Sequence, residues 1–172
     1  MATSLRGQDI LCVEQFTQDK ITLIMETTAQ FESALRAGKR LMNRIGKVLA
    51  TVFYEPSTRT RLSFETAMLR LGGQVISVAD AASTSSAAKG ETLFDAGKII
   101  ESYCDVAVIR HPVMGSAQTR AEGASVPVIN GGDGAGQHPT QALLDLYAIG
   151  KEKGGVEGLT IYRHLNTLGG MP

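Results

Sequence analysis

Between residues 19 and 44, apolar side chains fall at Ile21, Ile24, Met25, Phe31, Leu35, Leu41 and Met42. That spacing is nearer a period of 3.6 than of two, and it predicts a helix over the whole stretch. The pattern then changes. KVLATVFY, residues 47–54, is a short β-branched and aromatic run of the kind that forms a buried strand. From Thr58 to Leu71 a stripe of Leu62, Ala67, Met68, Leu69 and Leu71 predicts a second helix, stopped by Gly72-Gly73. QVISVAD, residues 74–80, predicts a second strand.

The next ten residues, AASTSSAAKG (81–90), offer only small side chains and one lysine. So little apolar bulk cannot pack, and the stretch predicts a mobile loop. Beyond it the pattern predicts a helix over 91–103, a strand over 105–109, a short helix over 116–123 and a strand, VPVIN, over 126–130. The turn-rich GGDGAGQ follows. A last helix over 139–151 opens with proline, whose missing N–H needs no partner in a first turn. Strand and helix alternate throughout, so the expected fold is α/β, a parallel sheet flanked by helices on both faces.

In such sheets ligands bind beyond the carboxyl ends of the strands. Three polar clusters directly follow predicted strands: Ser57 to Arg61, Arg110-His111 and Gln137 to Gln141. They are expected to converge on one edge. Ser57-Thr58-Arg59-Thr60 sits at a strand-to-helix junction, where unpaired N–H groups and the helix dipole favour an anion; hydroxyls and a guanidinium there make a phosphate cradle. Helix capping explains Ser57 alone. Arg59 and Arg61 together oppose the dipole and call for a compensating anion. The spacing is not that of a nucleotide P-loop.

Arg110 emerges at the same edge, where its guanidinium can fork onto phosphate oxygens or pair with a surface carboxylate. His138 can donate to a carbonyl or oxyanion, or serve as a cap. Lys89, alone in its small-residue loop, suits either solvent or a lid that closes on an anion in a neighbouring subunit's site. No paired carboxylates, Ser-His-Asp arrangement or metal-ligand cluster stands out. The chemistry implied is electrostatic stabilisation and positioning, without a covalent intermediate, cofactor or metal.

Composition narrows the partners. A chain of 172 residues is long enough for one domain with a real core, and Lys plus Arg equals Asp plus Glu at 17 each. No global field draws it to nucleic acid or membrane, and the absence of Trp argues against a base-stacking surface. Cys12 and Cys104 lack CxxC or Cys/His spacing and read as reduced core thiols. With no long apolar segment and no signal-peptide core, a cytoplasmic location is expected.

Four segments carry a resemblance: FYEPSTRTRLSFETAM from Phe53, KGETL from Lys89, RHP from Arg110, and NGGDGAGQHPTQALLDLY from Asn130. On these the chain resembles the carbamoyltransferases, from near its N-terminus to about Thr160, and within them the aspartate-specific branch of pyrimidine biosynthesis. The ornithine-specific relatives typically carry cysteine within HPxQ and lack the lysine-bearing loop, whereas Thr140 and Ser85 to Lys89 stand here. The resemblance implies that Ser57, Thr58, Arg59, Thr60 and Arg110 hold the phosphate of carbamoyl phosphate. It further implies that Thr60, Arg110 and His138 contact the carbamoyl oxygen and that Gln141 fixes the carbamoyl amino group. Arg59, Thr60, Arg110 and His138 would carry catalysis. Ser85 and Lys89 would reach over from the adjacent subunit of a homotrimer, and L-aspartate would be the acceptor.

The family pattern divides the chain into a carbamoyl-phosphate-binding domain (1–137), a linking helix (138–153) and the truncated start of an aspartate domain (154–172). Residues 162–172 match nothing in that pattern. The expectation is therefore that carbamoyl phosphate binding is kept while the acceptor site, an apolar covering helix and turnover by this chain are lost. A non-catalytic trimerising module and an ornithine-type transferase are the alternatives.

Overall fold

The structure is a computed structural model, and it describes residues 4–161; the unmatched tail, 162–172, lies outside the described residues. Helix α1 (Gln18–Arg36) leads to strand β1 (Val48–Phe53), α2 (Thr58–Arg70) and β2 (Gln74–Val78). The short α3 (Ala81–Thr84) and a 3-10 turn precede α4 (Leu93–Ile100), followed by β3 (Val106–His111), α5 (Ser116–Glu122), β4 (Val128–Asp133) and α6 (Pro139–Lys153). The four strands form one parallel sheet in the order β2-β1-β3-β4.

Alternation within the central strands explains the layers. Leu49, Phe53 and Val108 face Phe64 and Met68 of α2, whereas Ile109 and Val128 face the opposite way, onto Leu93 of α4 and Ala117 and Ala121 of α5. Successive strand residues point to opposite faces, so helices cover both. The expected α/β architecture is what the chain adopts. Strand β1 pairs with β2 on one side and β3 on the other, so the chain's crossovers leave it in opposite directions. The carboxyl ends of β1 and β3 therefore border the crevice where ligands bind in such sheets.

Four expectations need correction. The first helix ends at Arg36, not at residue 44: Gly38 takes φ +68°, and the Ala37 N–H closes onto Ser33 and Leu35 carbonyls. The apolar period simply continues into Leu41 and Met42, which belong to the return segment tied by Arg44 N to Leu71 O at 2.9 Å. Residues 81–90 form two short helical turns instead of an open loop. Thr84 Oγ1 donates to Asp80 O and Ser85 Oγ to Ala81 O, each at 2.5 Å, while Ser85 Oγ accepts from Ala87 N. Strand β4 runs on to Asp133, through two glycines read as turn, because His111 and Asp133 still pair after a register shift. Cys12 and Cys104 are free thiols, but half-buried rather than in the core.

Candidate functional site

Ser57 is the N-cap of α2, with extended φ of −156°, yet its hydroxyl makes no capping hydrogen bond. The capping explanation for this serine therefore fails, and Ser57 lines the cavity beside it, its hydroxyl without a hydrogen bond among the described residues. That cavity, about 1020 Å³, is lined along one wall by Ser57, Thr58, Arg59 and Thr60 and along another by Arg110, His138 and Gln141. Two helix N-termini, those of α2 and α6, border it, each with N–H groups that lack an intrahelical acceptor. The positive ends of both dipoles add to the guanidinium charges, so the space is shaped for an anion.

Each side chain is positioned by its strand. Arg110 is the next-to-last residue of β3, in register with Phe53 of β1. Its Nε donates to Glu55 Oε1 at 2.6 Å and its Nη1 to Gly131 O at 3.1 Å, both groups about a quarter exposed. Gly132, at φ +116°, allows this approach: a Cβ there would lie 2.8 Å from Arg110 Nη1 and 3.4 Å from His138 Cδ2. His138 is the N-cap of α6, and its Nδ1 lies 3.4 Å from Thr140 Oγ1. Gln141 Nε2 donates to Asp145 Oδ1 at 2.8 Å. Arg59 is exposed and makes no hydrogen bond or ion pair with any described residue.

The other members of the three clusters go elsewhere. Arg61 turns away to the β2 side of α2, where its Nη1 reaches Ser77 Oγ at 3.1 Å and Glu65 Oε1 at 3.5 Å, beside Thr51. Its charge thus has a resident carboxylate, and of the two first-turn arginines only Arg59 calls for an outside anion. His111 packs edge-on against Tyr54, with ring centroids 4.7 Å apart, and burial lowers its pKa. Gln137 is tied to the N-terminal segment through Val13 N and Glu14. Ser85 and Lys89 do not line the cavity within this chain.

Sequence reasoning passed over Glu55, the carboxylate that accepts from Arg110 beside the cationic cluster, although its place two residues before Ser57 was a usable signal. It also missed the far wall, where Ile24 and Thr28 of α1, Phe64 of α2, and Leu144 and Tyr147 of α6 enclose the space. Those residues belong to helical stripes that read only as core.

Residues 8–151 match the family described as aspartate/ornithine carbamoyltransferase, carbamoyl-P binding domain. Among curated proteins, the aspartate carbamoyltransferase catalytic subunit of Archaeoglobus fulgidus is 53% identical over 152 residues, covering 88% of this chain and 50% of that protein. That of Thermococcus kodakarensis is 51% identical over 156 residues, with 91% and 50% covered. Among solved structures, aspartate transcarbamoylase from Trypanosoma cruzi in complex with carbamoyl phosphate and aspartate superposes with a TM-score of 0.86 at 39% identity, over 91% of this chain and 51% of that one. The catalytic subunit of M. jannaschii aspartate transcarbamoylase gives 0.82 at 48% identity, over 88% and 49%. The chain spans about half the length of the curated relatives it matches.

Proposed function

Because the chain belongs to the aspartate/ornithine carbamoyltransferase family through its carbamoyl-phosphate-binding domain, we propose that its cavity binds carbamoyl phosphate for transfer of the carbamoyl group to L-aspartate. This is the pyrimidine-pathway reaction that the resemblance implies. The observation that carries the reading is the convergence of Ser57, Thr58, Arg59, Thr60, Arg110, His138 and Gln141 on one space, with the Ser57 hydroxyl and the Arg59 guanidinium uncommitted.

In the proposed reaction the α2 N-terminus, Arg59 and Arg110 hold the dianionic phosphate. In this reading Thr60, Arg110 and His138 donate to the carbamoyl oxygen and Gln141 binds the amino group. Aspartate's neutral amine attacks the carbamoyl carbon, forming the C–N bond and placing charge on the carbonyl oxygen. Collapse breaks the bond to the phosphate oxygen, which leaves with the electron pair, and the amine's proton passes to phosphate or water. Donors aimed at the developing oxyanion and at the leaving phosphate lower the barrier more than they stabilise the ground state. Ser85 and Lys89, absent from this chain's own cavity lining, would complete the site from a neighbouring subunit of a homotrimer.

Arg59→Ala tests the reading. Arg59 has no partner among the described residues, so the variant should keep its circular dichroism and melting temperature. Its affinity for phosphate should fall by about 10- to 100-fold, the scale of a charge-assisted hydrogen bond. Unchanged affinity would remove the cradle from the proposal.

A further inference from the structure

Asp145 stands one turn beyond Gln141 on α6, and Gln141 Nε2 donates to its Oδ1 at 2.8 Å. The i, i+4 spacing puts both side chains on one helix face. A carboxylate only accepts, so the Gln141 amide atom turned toward Asp145 is the nitrogen, whatever the symmetry of the amide's outline. Gln141 lines the cavity with Ser57 to Thr60, Arg110 and His138, whereas Asp145 is half-buried and not among the lining residues. With its nitrogen bonded to Asp145, the amide's carbonyl oxygen has no partner among the described residues and is the atom left to accept from a ligand in the cavity. Around a cradle of guanidinium groups, hydroxyls and helix N-termini suited to oxyanions, this is an acceptor, and it asks its ligand for a donor.

We propose that Asp145 is a positioning residue that sets specificity. It locks the Gln141 amide oxygen-inward, so that the cavity selects acyl phosphates bearing an N–H on the acyl group over those carrying a methyl in its place. The proposal rests on the reading of this cavity as a carbamoyl phosphate site. The physical basis is the asymmetry of hydrogen bonding: a methyl set against a fixed acceptor leaves that oxygen unpaired and desolvated, which discriminates more sharply than shape. Without Asp145 the terminal torsion of Gln141 is broad and roughly two-fold, and the amide can present either end. The preference then disappears while the phosphate end of the site is untouched.

The test is calorimetric titration of the 172-residue chain with inorganic phosphate, phosphonoacetamide and phosphonoacetone, the last two differing by NH2 against CH3. The parent chain should favour the amide about tenfold, the scale of one hydrogen bond. Asp145→Leu should bring that ratio to within about twofold with phosphate affinity unchanged, and should add nothing in a Gln141→Met background. Asp145→Asn, which keeps an acceptor oxygen, should retain part of the preference and also carries the test if the leucine variant does not fold. An unchanged ratio in Asp145→Leu, or equal weakening of all three ligands, would overturn the proposal. So would a parent chain that binds phosphate without preferring the amide. A folded parent that binds no phosphate overturns the carbamoyl phosphate reading itself and this inference with it.

Discussion

Arg110 donates through Nε to Glu55 at 2.6 Å, so the cation that borders the anion cavity is already half-neutralised by a carboxylate on the adjacent chain turn. Its Nη1 is held by Gly131 O, which leaves Nη2 as the nitrogen uncommitted among the described residues. Glu55 thus fixes the guanidinium plane and at the same time repels an incoming phosphate.

Glu55→Gln separates the two effects, because glutamine keeps an acceptor for Nε and removes the charge. Phosphate should bind about 3- to 10-fold more tightly at low ionic strength, and the gain should shrink as salt is raised. Titrations at two salt concentrations check this. Weaker binding at low salt would show that the carboxylate's pull on Arg110 outweighs its repulsion of the ligand.

Gly132 tests how tightly the β4 backbone must approach Arg110. Its φ of +116° and the 2.8 Å separation from Nη1 to a notional Cβ mean that Gly132→Ala strains the backbone and displaces the guanidinium. The expected cost is about 1–3 kcal/mol of stability from the backbone alone. Phosphate affinity should fall by at least about tenfold, since a charge-assisted bond is lost. Denaturant unfolding and titration measure the two separately.

Arg120 on α5 is 1% exposed, and none of its three guanidinium nitrogens has a hydrogen-bond partner among the described residues. Burial lowers its pKa, opposed by charge interactions with Tyr54, Cys104 and Glu91 and by a weaker hydrogen-bonding contribution from Tyr54. A buried charge whose desolvation outweighs what its neighbours return is a net cost, so Arg120→Met should stabilise the chain by about 1–4 kcal/mol. Thermal and denaturant unfolding report it, and a destabilised methionine variant would mean that the guanidinium has a partner after all.

Glu32 joins α1 to α6. Lys151, Tyr147 and Arg36 all bond its carboxylate and hold its pKa at about 2, against 4.5 ordinarily. A depressed folded pKa contributes stability that is full above the unfolded value and is lost as pH falls from about 4.5 toward about 2. Glu32→Gln should flatten the pH dependence of the melting temperature across that window. Because the cluster is exposed, the effect should be small and salt-sensitive.

The sheet and its two helical layers were legible because the apolar runs of β1 and β3 and the stripe of α2 each have one dominant period. The cradle was legible because hydroxyls and cations follow a strand end. What the sequence hid was partnership. Arg59 and Arg61 look alike in the STRTR run, and only the helix's roll shows that Arg61 faces Glu65 and Ser77. Gly38 ended α1 inside an unbroken apolar period, because a left-handed glycine cap changes the chain's path without changing its hydrophobic pattern. The small residues of 81–90 look too poor to pack, yet the Thr84 and Ser85 hydroxyls order them, donating to the Asp80 and Ala81 carbonyls while Ser85 Oγ accepts from Ala87 N. The cavity's far wall, built from α1 and α6, depends on contacts between residues more than a hundred positions apart, as between Glu32 and Tyr147.

The central claim is that these residues form a working first-substrate site in the chain as it stands. Calorimetric titration of the purified 172-residue chain with carbamoyl phosphate, with its mass in solution determined on the same sample, tests it most directly. Saturable binding at one site per chain, abolished or greatly weakened by Arg59→Ala, is the predicted result. A folded chain that gives no binding heat and no competition with phosphate would contradict it.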